Sequence, residues 1–209
     1  MTMTSTPSSN DIARPRSHTQ IWILIGVFFA PLVLAFVLYY GFGARPSGST
    51  NHGELVQPPR PLPEVSLQTA NGEQLSLASL QGKWTLVYVG NGACDERCRE
   101  ALTLIRQTRL ALGDDMPRVQ RLFLATADCC DMDYLDAEHT GLLIARLDGG
   151  EGEALATVIQ DATAEPLAQA GRIYIVDPLG NLMMSYARDA EPKGLLEDMK
   201  KLLKLSHIG

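Results

Sequence analysis

The sequence predicts an α/β three-layer sandwich preceded by one transmembrane helix. Three observations predict it. Residues 21–42 form an uncharged apolar run, residues 84–89 form an apolar β-type run followed by alternating helical and strand patterns, and an amphipathic segment over 192–205 closes the chain. What remains after the apolar run and a Gly/Pro-rich stretch has the size of one compact domain that can bury its own core. The net charge of −6 argues against a nucleic-acid partner, which would need a basic face. Gly-rich nucleotide-binding patterns are absent from the sequence.

Residues 21–42 read IWILIGVFFAPLVLAFVLYYGF. A helix of that length matches the bilayer core, and Trp22 at one end with Tyr39 and Tyr40 at the other supplies interfacial aromatics. A secretory signal would have a shorter core and a small-residue cleavage site; this run ends in YYGFG. Arg14 and Arg16 precede the run and Arg45 follows it, which favours a cytoplasmic tail over 1–20 and a domain on the far side. Residues 43–61 are rich in Gly, Ser and Pro and read as a linker that stiffens toward the domain, which spans 62–209.

The domain opens with alternating residues around Asn71-Gly72, a hairpin signal. After a short turn, residues 84–89 read as a buried central strand, and residues 95–112 as a helix with Leu102, Leu104, Ile105, Leu110 and Leu112 on its apolar positions. Residues 119–125 read as a second strand. A helical stretch is expected over 134–147, and 148–168 carries no clear pattern. Residues 172–176 and 182–186 are two strands joined by the turn Asp177-Pro-Leu-Gly-Asn181, and 192–205 is the closing helix. Strand–helix–strand with a buried first strand implies a parallel pair.

Reactive groups gather at the carboxyl ends of such strands. Cys94 and Cys98 follow the first central strand, and Cys129 and Cys130 follow the second, so all four sulfurs are expected at one sheet edge. Cys94 and Cys98 are four residues apart; at the start of a helix, facing solvent, they could cycle between dithiol and disulfide. Two such thiolates also suit Cu(I); the bland alternative is a static disulfide or a pair of buried thiols. Adjacent cysteines rarely bridge each other, so Cys129 and Cys130 read either as resolving thiols or extra metal ligands, or as ordinary small residues at a strand end. His139 is the one histidine well inside the domain, His207 lying near the terminus; it reads as a surface helix residue, with a metal-ligand role as the sharper alternative. Peroxidase chemistry of the peroxiredoxin type is not expected, because Asn91 stands where that chemistry has threonine.

The strand GKWTLVYVG, the C-x-x-x-C pair, and YIVDPLGNL followed by a final helix resemble the Sco/SenC-like proteins, specifically a divergent bacterial branch described as cytochrome oxidase-associated transmembrane proteins. The resemblance covers about residues 62–205 and implies a thioredoxin-like domain that serves cytochrome c oxidase assembly, by thiol–disulfide exchange or copper handling. It implies a bacterial inner-membrane protein, periplasmic domain outward, whose partners are membrane-embedded oxidase subunits, subunit II in particular, or other assembly factors. Two alternatives stay open: a non-catalytic interaction subunit, and a general periplasmic thiol–disulfide reductase. In that family two cysteines and a distal histidine hold copper, and Cys94 and Cys98 match the thiol pair. This chain departs from the family at Asp95 and Arg99, where proline follows each cysteine, and at Gln169, in the histidine's place. The resemblance leaves Cys129, Cys130 or His139 to stand in as a further ligand.

Overall fold

The structure is a computed structural model that describes residues 18–41, 51–127, 129–163, 166–167, 171–206 and 208. The chain divides into two compact units, Met1–Gly48 and Ser49–Gly209.

In the first unit, helix α1 spans His18–Gly41 with Pro31 inside it. Its stretch Gln20–Gly41 has 22 residues and mean hydropathy 2.8, long and apolar enough to cross a membrane. The tail over 1–17, Phe42 and residues 43–50 lie outside the described residues, and with them Arg14, Arg16 and Arg45.

The second unit is the expected three-layer sandwich. Its sheet has six strands: β1 (Glu54–Pro61), β4 (Trp84–Gly90), β5 (Val119–Ala125), β6 (Leu143–Arg146), β7 (Ile173–Val176) and β8 (Asn181–Tyr186), in the order β1-β8-β7-β4-β5-β6. The pairs β4–β5 and β5–β6 are parallel; β7, β8 and β1 are added antiparallel. Strands β2 (Ser66–Gln68) and β3 (Gln74–Ser76) form the separate hairpin around Asn71-Gly72. Every residue of β4 is buried, because both sheet faces are covered.

Side chains alternate between two cores. Leu86, Phe123, Ile175 and Met184 face one side, where helices α2 (Glu96–Leu110), α3 (Met132–Glu138) and α5 (Pro192–Leu205) lie. Val87, Leu122, Leu124 and Tyr174 face the other, against the hairpin and helix α4 (Gly152–Thr163). Leu195, Met199 and Leu203 of α5 are buried at helical spacing, as its amphipathic pattern requires.

Three expectations need correction. Residues 54–61, read as the end of a free linker, are the edge strand β1. Its three prolines (58, 59 and 61) are compatible with an edge position, and the register with β8 shifts between Leu55 and Arg60. The helix expected over 134–147 ends at Glu138, and Leu143–Arg146 becomes strand β6. His139 caps the helix, and Gly141, at φ 75°, turns the chain away from any helical continuation before β6. The unassigned stretch holds α4. That helix starts at Gly152, where an added Cβ would lie 2.5 Å from the carbonyl oxygen of Leu147. Gly152→Ala is therefore expected to destabilise the unit by about 2 kcal/mol, read as a lower urea midpoint; an unchanged midpoint would show that the α4 start can shift freely.

Candidate functional site

Strands β4 and β5 end side by side, with Gly90 in register with Ala125. Backbone bonds continue the pairing past the sheet. Thr126 N donates to Gly90 O at 2.9 Å, Gly92 N to Ala127 O at 2.7 Å, and Asp131 N to Gly92 O at 3.2 Å. The two cysteine-bearing loops are thus sewn together, and all four cysteines belong to or pack against one core cluster, as the order of elements predicts.

Local chemistry sets the first loop. The Asn91 side chain accepts from Ala93 N at 2.8 Å, and Cys94 N donates to Asn91 O at 3.2 Å. Cys94 sits at φ 47°, in the left-handed region that favours glycine. Asp95 then caps α2 by accepting from Cys98 N at 3.0 Å. Cys94 therefore lies outside the helix and Cys98 within its first turn. Their Cα atoms are 5.0 Å apart and the two form a disulfide.

The pair does not face solvent, which corrects the expectation from the sequence. Cys94 is 1% exposed and Cys98 2%. The left-handed turn at Cys94 lays the disulfide against the core of α2, and Cys129, Cys130, Met132 and Tyr134 pack against that same cluster. Cys129 and Cys130 are bonded to each other, contrary to the expectation for neighbours, so neither sulfur is a free resolving thiol or ligand here.

Arg99 fastens one loop to the other. Its Nε donates to Cys94 O at 3.3 Å, its Nη2 reaches Asp131 Oδ2 at 3.2 Å, and its guanidinium lies 4.4 Å from the Tyr134 ring centroid. From the sequence, Arg99 is a departure from proline and a cation near the thiol pair; that it bridges the two loops depends on the fold. Asp131 also caps α3, accepting from Tyr134 N.

His139 is 2% exposed, not a surface residue. It ends α3, and its Nε2 lies 3.0 Å from the Tyr134 hydroxyl. Burial, then the Arg121 and Arg106 charges, push its pKa below the ordinary value, so it is held neutral. A groove of about 460 Å³ flanks the Cys94 loop, bordered by Tyr88, Asn91, Asp95, Arg97 and Arg188. Burial and Asp95 push the Tyr88 phenol up to about 12, against the opposing effect of Arg188, so it remains a neutral hydroxyl. No spacing rule marks Tyr88 or Arg188 in the sequence; the sheet brings them there.

Among the described residues, no group of three or more His, Cys, Asp and Glu could hold a metal ion. Gln169 and Asp128 lie outside the described residues. In this oxidised arrangement the donors at the strand ends are two disulfides, which offer no thiolate to Cu(I); the reduced Cys94–Cys98 pair would offer two.

A family profile described as "Transmembrane-like, thioredoxin-like, C-terminal domain" matches residues 84–206, more than half of the chain. The chain belongs to this family. The matched range of this transmembrane-like, thioredoxin-like protein runs from β4 through α5 and includes both cysteine loops. Among solved structures, it resembles apo Sco1 from Thermus thermophilus at 19% identity and TM-score 0.55, covering 75% of this chain and 99% of that one. It resembles copper-bound ScoI from Arabidopsis thaliana at 17% identity and TM-score 0.54, covering 74% and 99%. It also resembles BsSco, described as having a disulfide switch and belonging to the Sco family of cytochrome c oxidase assembly proteins, at 12% identity and TM-score 0.53, covering 73% and 100%. At these identities the likeness shows a shared thioredoxin-like fold. No curated protein matches the chain.

Proposed function

We propose that this chain is a membrane-anchored accessory factor for cytochrome c oxidase assembly that works by thiol–disulfide exchange at Cys94–Cys98. The observation that carries the reading is a disulfide across the first turn of α2, at the carboxyl end of the central parallel strands. In the exchange, a partner thiolate attacks one sulfur of the pair, forming a mixed disulfide and releasing the other as thiolate. A second partner thiol then displaces the first bond. Two electrons pass from the partner dithiol to this chain, leaving Cys94 and Cys98 reduced and the partner oxidised. The reduced pair would run the same steps backwards on a partner disulfide. Because both cysteines are buried, exchange requires a local opening of the structure around them.

In this reading, residues 21–42 anchor the chain in a bacterial inner membrane with residues 1–20 cytoplasmic, and the domain from β1 onward works in the periplasm. Its disulfides suit that oxidising compartment. Residues 43–50 then remain as the tether, since His52 and Gly53 are bonded to Asp198 of the folded unit. The partner is an oxidase subunit bearing a cysteine pair, subunit II in particular, or another assembly factor. Copper enters as the partner's metal and not as a resident group.

The test is a strain carrying Cys94→Ser with Cys98→Ser, assayed for oxidase activity per haem. Loss of most activity is expected, and normal oxidase would sink the proposal. The burial of both sulfurs favours one competing reading, a non-catalytic interaction subunit. That reading expects a silent double variant, with loss appearing only on deletion of 51–209. A general periplasmic reductase would instead disturb unrelated substrates while oxidase assembly proceeds.

A further inference from the structure

Away from the cysteines, a cleft of about 180 Å³ opens between α2, β5 and the end of α3. Arg106 and Arg109 of α2, Arg121 of β5, Glu138 and Thr140 line it. Arg121 occupies a core position. Its neighbours on the same strand face, Val119 and Phe123, belong to the apolar cluster, and Arg121 itself is 5% exposed. Its Nη2 donates to Thr140 O at 2.8 Å, while its buried Nη1 has no hydrogen-bond partner among the described residues. Such a donor left unspent in the interior is costly unless something accepts from it.

The other two arginines are held beside it by carbonyls. Arg106 Nη1 donates to Glu138 O at 2.7 Å, and Arg109 Nε donates to Val119 O at 2.6 Å. Burial, then the charges of Arg109 and Arg106, pull the Arg121 pKa below its ordinary value, the mark of cations crowded together. Among the described residues, Glu138, 3.6 Å from Arg106, is the one carboxylate lining the cleft, so there three guanidiniums face one negative charge. The chain as a whole carries −6, so this cleft runs against its average.

We propose that Arg106, Arg109 and Arg121 bind a small, doubly charged oxyanion of the phosphate class in this cleft. Guanidinium forks match the paired oxygens of such an anion, and an oxyanion would accept from the unspent Arg121 Nη1 while offsetting the surplus of positive charge. The anion comes either from free phosphate or from a phosphomonoester headgroup; the recognition chemistry is the same.

The experiment uses the full chain in detergent micelles, at fixed ionic strength, with inorganic phosphate followed by phosphorus NMR line width. Saturable broadening is expected, with affinity weakened about tenfold in Arg106→Gln. Arg146→Gln, whose wild-type side chain pairs with Asp148 outside this cleft, should bind as wild type. Arg106 is 43% exposed at its side chain, so its replacement leaves the core packing in place even if Arg121→Gln fails to fold. Broadening that does not saturate, or equal affinity in the Arg106→Gln/Arg109→Gln double variant, would overturn the site. Once saturable binding is established, displacement by dihexanoyl phosphatidic acid at lower concentration than by inorganic phosphate assigns the headgroup source, and the reverse order assigns free phosphate.

Discussion

Replacing Asp198 with alanine is expected to destabilise the thioredoxin-like unit by about 3 kcal/mol or more, since it orphans several buried donors at once. Asp198 lies in α5 and is 2% exposed. It accepts from the Tyr186 hydroxyl at 2.7 Å, from His52 N at 2.8 Å and from Gly53 N at 3.0 Å, with His52 Nδ1 at 3.4 Å. These bonds tie the segment before β1 to the last helix, a separation of 146 residues in sequence for His52. Burial alone would raise the carboxyl pKa; the donors from Tyr186, Gly53 and His52 outweigh it and hold the group below the usual carboxylate range. A folded pKa below the unfolded one means the native state binds fewer protons. The stabilisation is complete above the unfolded value, near 3.8, and is lost as pH falls through the folded one. Asp198→Asn keeps an acceptor but no charge, so it should cost less and flatten the acid limb of the stability curve. Thermal melting of the full chain in detergent checks this. A drop of roughly 6–12 °C is expected for the alanine variant; a shift within error would mean that water replaces the carboxylate without loss.

The strands nearest the cysteines were legible because their signals are local. Residues 84–89 are apolar but for Thr85, and the Asp177-Pro-Leu-Gly-Asn181 turn sits between two short β-type runs; both became the expected strands. Strand β1 was not legible. Three prolines read as a spacer, and only its distant partner β8 makes an edge strand of it. Strand β6 was hidden because a short apolar run after a helix fits either structure until the turn through Gly141 separates the two. The placement of four cysteines at one sheet edge followed from element order alone. Their burial did not, because it depends on a single left-handed residue, Cys94, and on a covering loop fastened by Arg99. His139 looked like a surface residue because its burial comes from ending α3, not from helical periodicity.

That covering loop leads to the second large effect. Arg99→Ala is expected to speed reduction of Cys94–Cys98 by a small thiol about 5–30-fold, while global stability falls by no more than the same ~1–2 kcal/mol. A thiolate must reach a sulfur in line, and sulfurs 1% and 2% exposed can be reached only from an opened state. Arg99 stabilises the closed state through three contacts. The pair with Asp131 is half exposed, so it contributes no more than about 1 kcal/mol. The stack on Tyr134 and the bond to Cys94 O each contribute about 0.5–1 kcal/mol. Not being additive, together they amount to about 1–2 kcal/mol, which is the stated factor in the population of the open state. The measurement is alkylation after timed exposure to dithiothreitol, with peptide mapping to separate this pair from Cys129–Cys130. Added salt should accelerate the wild type by screening Arg99–Asp131 and leave Arg99→Ala unchanged. Equal rates in the two proteins would mean that Arg99 is not what keeps the disulfide covered, and the exchange proposal would then need another route to the sulfurs.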